Sequence, residues 1–184
     1  MKGDFFMKTK KLVLSGAFIA LYVVLSYLTI DLRVMKISFA GLPVIIGSML
    51  FGPVFGLQIG LIGELLGQLL RYGVTATTFL WIIPPAVRGW MVGSYAMRRN
   101  FNLTIKQMGW IIICSAVVVT ILNTGGIYID SKIYGYYSFA YVFGAVFVRL
   151  LTGIATSIIY LAIVPFLLSR LVHLRSEYLE KKSF

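Results

Sequence analysis

Glu64, Arg88 and Arg149 are the ionisable residues that fall deep inside long apolar stretches of this 184-residue sequence. A charge at mid-depth in hydrocarbon is costly, so such a group marks either a pathway for a polar ligand or a structural ion pair. Each lies on a stripe at helical spacing. Gly60, Glu64, Gly67, Gln68 and Arg71 share one face, Trp81, Pro84, Arg88 and Tyr95 a second, and Arg149, Thr152, Thr156 and Tyr160 a third. These faces are expected to point inward. Glu64 can pair with Arg88 or with Arg149 and staple the helices together. Two guanidiniums against one carboxylate still leave positive charge in excess, and a shared space between them would suit a carboxylate or phosphate.

Other chemistries lack their residues. No Gly-rich loop ends in Lys-Ser or Lys-Thr, so nucleotide hydrolysis by this chain is not expected. Cys114 and His173 are the sole residues of their types, which excludes a Cys/His metal cluster, a disulfide within the chain and a Cys/His nucleophile pair. Cys114 reads as a packing residue, and His173 as a solvated one among Arg170 and Arg175. A serine hydrolase would lack its histidine, and no pair of aspartates lies at depth for an aspartyl protease. No cofactor or metal is implied.

The elements that must position these residues are helices in a membrane. Hydrophobic residues make up 59% of the chain, charged ones 12%, and the mean hydropathy is +0.91, outside the soluble range. The apolar runs are continuous rather than alternating, which favours helices over a barrel. Hydropathy predicts an all-α membrane protein, one domain over residues 1–184, with six transmembrane helices in a compact bundle at 12–30, 38–50, 54–70, 77–97, 107–129 and 139–168, then a charged tail at 169–184. Gly52 and Pro53 mark a tight turn, and Pro84 with Pro85 should kink or restart the fourth helix, aiming helix-end N–H groups at the interior.

Charge gives an orientation. Lys2, Lys8, Lys10, Lys11, Arg98, Arg99, Lys106, Arg170, Arg175, Lys181 and Lys182 fall on one side of six crossings. Only Arg33, Lys36, Arg71 and Lys132 fall on the other. Basic residues stay inside, so both termini are expected to be cytoplasmic. The same asymmetry accounts for most of the +11 net charge, which needs no nucleic-acid partner. Lys8, Lys10 and Lys11 resemble the start of a signal peptide, but no small-residue cleavage site follows, and the first helix is expected to be retained.

Aromatic and small residues mark the ends and seams. Tyr128, Tyr134, Tyr136, Tyr137, Phe139 and Tyr141 crowd the outer end of the last two helices, with Trp81 entering from the same side. An interfacial belt is one account of them and a stacking wall over a flat ligand the other. Sparse aromatics on the inner side, Trp110 and Tyr95, favour the wall. Gly52, Gly56, Gly60, Gly63 and Gly67 form a groove for close packing down the third helix. Gly16 and Ala20 form a small pair on the first, facing lipid or another subunit. Gly125 and Gly126 beside Asn123 should loosen the fifth helix.

Several segments carry a resemblance. They are Ser15-Gly16-Ala17-Phe18-Ile19-Ala20-Leu21, then Lys36-Ile37-Ser38-Phe39-Ala40-Gly41-Leu42-Pro43-Val44-Ile45-Ile46-Gly47, then Leu50-Phe51-Gly52-Pro53-Val54-Phe55-Gly56. Together, over residues of about 10 to 172, they resemble the substrate-binding S component of energy-coupling factor (ECF) vitamin transporters. Tyr72-Gly73-Val74-Thr75-Ala76-Thr77-Thr78 and Leu80-Trp81-Ile82-Ile83-Pro84-Pro85-Ala86-Val87-Arg88-Gly89 look most like the folate branch.

The resemblance implies a multi-pass protein of the cell membrane that is not itself an enzyme. It implies a vitamin pocket near the outer face, closed by the loop between the first two helices. A separate transmembrane coupling subunit and two cytoplasmic ATPases would drive uptake, with toppling of the subunit to release its ligand. On this basis Arg71, Arg88, Arg149, Glu64, Gln68, Trp81, Asn123, Tyr128 and Lys36 are candidate ligand residues, and Gly16 and Ala20 stand where the family's small-residue motif contacts the coupling subunit. A folate-like ligand offers carboxylates to the arginines and a flat ring to Trp81 and the tyrosines. Pantothenate is the close alternative. A membrane scaffold, in which the buried charges only pair internally, is the alternative of a different class, and a channel lacks a ring of like charges.

Overall fold

The computed structural model describes the backbone of residues 2–31 and 36–179 and the side chains of residues 12–28, 37–173 and 175. Arg33, the side chain of Lys36 and the end of the expected tail at 180–184 lie outside the described residues. The element order is α1 (Lys2–Tyr27), β1 (Thr29–Asp31), β2 (Lys36–Ser38), α2 (Gly41–Phe51), α3 (Pro53–Tyr72), α4 (Thr78–Arg98), α5 (Ile105–Ile133), a π-helical turn (Ala140–Gly144) and α6 (Val146–Leu179). Three of the helical stretches, Pro53–Tyr72, Ile105–Ile133 and Ala140–His173, are long and apolar enough to cross a bilayer.

Local chemistry sets the boundaries. Pro43 lies in the first turn of α2, where its missing N–H would have had no helical partner. Gly52 ends α2 with φ 96°, its N–H donating to the Ser48 carbonyl at 2.9 Å, and the following Pro53 opens α3. Gly73 closes α3 in the same way, with φ 70° and a bond to Leu69. Thr104 and Gln107 form a reciprocal capping box at the start of α5.

α2 is the centre of the bundle. Residues Gly41 to Leu50 are all buried, enclosed by α1, α3, α4 and α6, with α5 packed outside against α4 and α6. Its 11 residues rise only about 16 Å, half the thickness of a bilayer core. It leaves space above its first turn. α3 and α4 approach until their backbones touch. A Cβ placed on Gly93 would lie 2.5 Å from the Pro53 Cα, and one on Gly56 would lie 2.7 Å from the Gly89 carbonyl oxygen. Of the glycines expected to form one groove, Gly56 and Gly60 pack against the α4 backbone, whereas Gly63 faces the Tyr22 ring of α1.

Several boundaries differ from the sequence reading. The first helix ends at Tyr27, not residue 30, because Thr29 to Asp31 pairs antiparallel with Lys36 to Ser38, Ile30 opposite Ile37. α4 runs unbroken through Pro84 and Pro85 rather than restarting, so no helix N-terminus arises there. The two prolines still leave the Leu80 and Trp81 carbonyls without their usual N–H donors. The sixth segment is divided into the π-helical turn and α6. α6 then continues to Leu179, well into the expected tail, since hydropathy marks where a chain leaves lipid and not where its helix ends.

Candidate functional site

A cavity of about 550 Å³ lies above the first turn of α2, walled by α1, α3, α4, α5 and α6 and bordered by Ser38 at the end of the hairpin. Five of the nine candidate ligand residues line it: Glu64, Trp81, Arg88, Asn123 and Arg149.

Glu64 forms no ion pair with either arginine among the described residues. Tyr22 donates its hydroxyl to Oε2 at 2.6 Å, and Gln68 donates Nε2 to Oε1 at 2.7 Å. The expected carboxylate–arginine staple is replaced by neutral donors. Tyr22 reaches Glu64 because Ser15, Phe18, Tyr22 and Ser26 form the one buried face of α1. That spacing of three, four and four was the signal in the sequence that would have found it.

The two arginines differ in what they do. Arg149 turns back toward the preceding π-helical turn, donating Nη1 to the Val142 carbonyl at 2.8 Å and Nη2 to that of Tyr141 at 3.3 Å. It thereby ties down the π-helical turn, whose wide ring leaves such carbonyls accessible. Arg88 makes no hydrogen bond or ion pair among the described residues, and its Nε is fully buried without an acceptor. Its guanidinium lies against the start of α2, where a Cβ on Gly41 would sit 2.5 Å from Arg88 Nη1 and 2.8 Å from the Tyr160 hydroxyl. A helix N-terminus carries partial positive charge, so a cation and a positive dipole end converge at one place with no counter-charge between them.

The opposite wall is rich in hydroxyls that have already donated. Thr120 bonds to Ala116 O, Thr152 to Val148 O, Thr156 to Thr152 O and Ser157 to Gly153 O, at 2.7 to 2.9 Å. Their lone pairs remain as acceptors along the cavity, beside the Asn123 amide. The arrangement offers an unpaired cation on α4, an acceptor wall on α5 and α6, and the flat Trp81 ring. Tyr160, 2% exposed, also lines it and donates to the Ser38 carbonyl at 2.6 Å.

The remaining candidates lie elsewhere. Gln68 stands behind Glu64. Arg71 is exposed, donates Nε to the Gly67 carbonyl at 3.1 Å and lies over the rings of Tyr27 and Tyr72 at 5.6 and 6.0 Å. Tyr128 packs edge-on against Tyr137 at 5.5 Å, and Lys132 Nζ sits 3.9 Å over the Tyr137 ring. Tyr136 and Tyr141 pair with each other at 5.6 Å, outside the cavity lining. Asp130, passed over in the sequence, accepts from Thr77 at 2.5 Å and from Tyr136, clamping two loops together. Its bond to Tyr136 pushes that phenol up to about 12. Gly16 and Ala20 are exposed on α1, with nothing within 4 Å of a Cβ on Gly16.

The structure is a helical bundle around a cavity of mixed polar and apolar lining. Residues 10–166 match the family model described as the ECF transporter substrate-specific component, and the chain belongs to that family. It is accordingly a multi-pass membrane protein. It is also similar to UPF0397 proteins of Lactobacillus gasseri and Lactobacillus johnsonii, each 33% identical over 110 residues. The match covers 55% of this chain and 57% of either relative, so the chain spans little more than half the length of the curated relatives it matches.

Proposed function

We propose that this chain is the substrate-capturing subunit of an ECF importer and that the cavity above α2 binds an anionic water-soluble vitamin, folate first. The carrying observation is Arg88: an arginine with no hydrogen-bond or ion-pair partner among the described residues, beside the positive end of α2. A carboxylate there would satisfy the guanidinium in the planar geometry it favours, with the α2 dipole adding to the attraction. The acceptor wall suits the N–H groups of a ring system, and Trp81 offers it a stacking face. Arg149, Glu64 and Asn123 complete the proposed lining, while Gln68 acts through Glu64. Arg71, Lys36 and Tyr128 are proposed to meet the ligand at the entrance.

In this reading the chain crosses the membrane six times with both termini in the cytoplasm, following the distribution of basic residues. The exposed Gly16 and Ala20 face meets a transmembrane coupling subunit, two cytoplasmic ATPases supply the energy, and this chain contributes binding without catalysis. The test is titration of purified protein with folate and with pantothenate, read by tryptophan fluorescence. Folate is expected to quench in the nanomolar to micromolar range, with loss of at least about tenfold in affinity in Arg88→Ala. A response to pantothenate alone would reassign the substrate. No response to either carboxylate, or an unaltered response in Arg88→Ala, would overturn anion capture at this site.

A further inference from the structure

We infer a second site at the other end of the molecule: a cavity between the end of α2, the α4–α5 loop and the last turns of α6 that takes the headgroup of an anionic phospholipid, with Arg175 as its phosphate partner. The cavity measures about 470 Å³. Its lining combines apolar residues, Met49, Leu50, Leu103, Met108 and Leu168, with polar ones, Asn102, Thr104, Ser169 and Arg175.

Arg175 has the features of a cation awaiting a partner. Its guanidinium stacks 3.8 Å over the Phe101 ring and makes no hydrogen bond or ion pair among the described residues. Stacking occupies the flat face and leaves the N–H edge free for a bidentate acceptor. Partial burial pushes its pKa below the ordinary arginine value, so its charge is under-solvated where it stands. The ring beneath it is held by an unusual backbone: Asn100 and Phe101 are consecutive left-handed residues, with φ 51° and 61°. Thr104 accepts from the Gln107 N–H through its Oγ, which leaves its hydroxyl hydrogen for an incoming oxygen.

Depth and charge select a lipid. The apolar stretch Ile105–Ile133 begins at this cavity and the stretch Ala140–His173 ends at it, which puts the cavity at headgroup level. Exposed Arg98, Arg99, Lys106 and Arg170 surround that end. The described acidic side chains, Glu64 and Asp130, are at the central cavity and the far end. An anionic headgroup with its first acyl carbons matches both kinds of lining residue, whereas a free phosphate would use only the polar ones.

The experiment is native mass spectrometry of the detergent-purified chain with phosphatidylglycerol or phosphatidylcholine of identical acyl chains, and with glycerol phosphate as a competitor. Phosphatidylglycerol is expected to be retained at least about tenfold better than phosphatidylcholine, with the preference lost in Arg175→Gln and kept in Arg99→Gln, which does not line the cavity. Leu103→Trp, which enlarges one of the apolar lining residues, should lose the lipid too and serves if Arg175→Gln fails to fold. Equal retention of the two lipids, a preference that survives Arg175→Gln or Leu103→Trp, or an equal loss in Arg99→Gln would overturn the site. Displacement by glycerol phosphate at matched concentration would overturn the lipid as its occupant.

Discussion

The Tyr160 hydroxyl donates to the Ser38 carbonyl at 2.6 Å, joining α6 to the hairpin across 122 positions of sequence. The bond lies at the border of the central cavity and is the one side-chain hydrogen bond from the helical wall to the backbone of β2 among the described residues. Tyr160→Phe removes it and leaves the ring in place, costing about 1 kcal/mol. Amide exchange at residues 37–40 should accelerate about fivefold while the helices keep their protection. Unchanged exchange there would show that other contacts hold the hairpin.

Glu64 rests on neutral donors, and its response to substitution follows. Tyr22→Phe leaves Oε2 of a carboxylate inside the bundle without its donor, a loss of about 1–3 kcal/mol. Glu64→Gln removes the charge along with the need for it to be satisfied and should cost less. In the double variant the two losses should be clearly less than additive in thermal melts. Simple additivity would mean that the 2.6 Å contact contributes nothing to stability.

The glycines divide into two kinds. Gly93→Ala forces a methyl against the Pro53 backbone at 2.5 Å, which cannot move aside without separating α3 from α4. A loss of about 1–3 kcal/mol, or failure to fold, is expected. Gly16→Ala meets nothing within 4 Å and should leave the melting temperature of the isolated chain unchanged or slightly raised. A reversal of that order would contradict the packing described.

Tyr136 gives a pH signature. Its phenol is raised from 10.0 to about 12 by the hydrogen bond to Asp130, so the folded chain holds this proton more tightly than the unfolded one. The contribution is intact below pH 10 and disappears as the pH rises through about 12. Ring-carbon NMR of labelled tyrosine should show one late-titrating resonance, absent in Tyr136→Phe and returned toward the ordinary phenol range in Asp130→Asn. A resonance unmoved by Asp130→Asn would place the cause elsewhere.

How much of this was legible in the sequence depended on the kind of signal. Glu64, Arg88 and Arg149 stood out because a charge in an apolar run is conspicuous, and three of the inward stripes follow directly from helical spacing. Their partners were not legible. Arg149 bonds seven and eight residues back, a reach created by the π-helical turn, and Glu64 is satisfied by a tyrosine from 42 positions earlier. The hairpin has strands of three residues, too short for alternation to register. The helix end beside Arg88, which a restart at Pro84–Pro85 would have provided, is supplied by α2, because Gly41-Leu42-Pro43 starts that helix against the guanidinium.

The direct backbone contact along Gly56, Gly89 and Gly93 has a mechanical meaning. Where no side-chain layer separates two helices, there is nothing to shear, so α3 and α4 form a stiff chassis carrying Glu64 and Arg88 at fixed spacing. Relative movement within the bundle is therefore left to its other walls, among them the hydroxyl-lined pair α5 and α6.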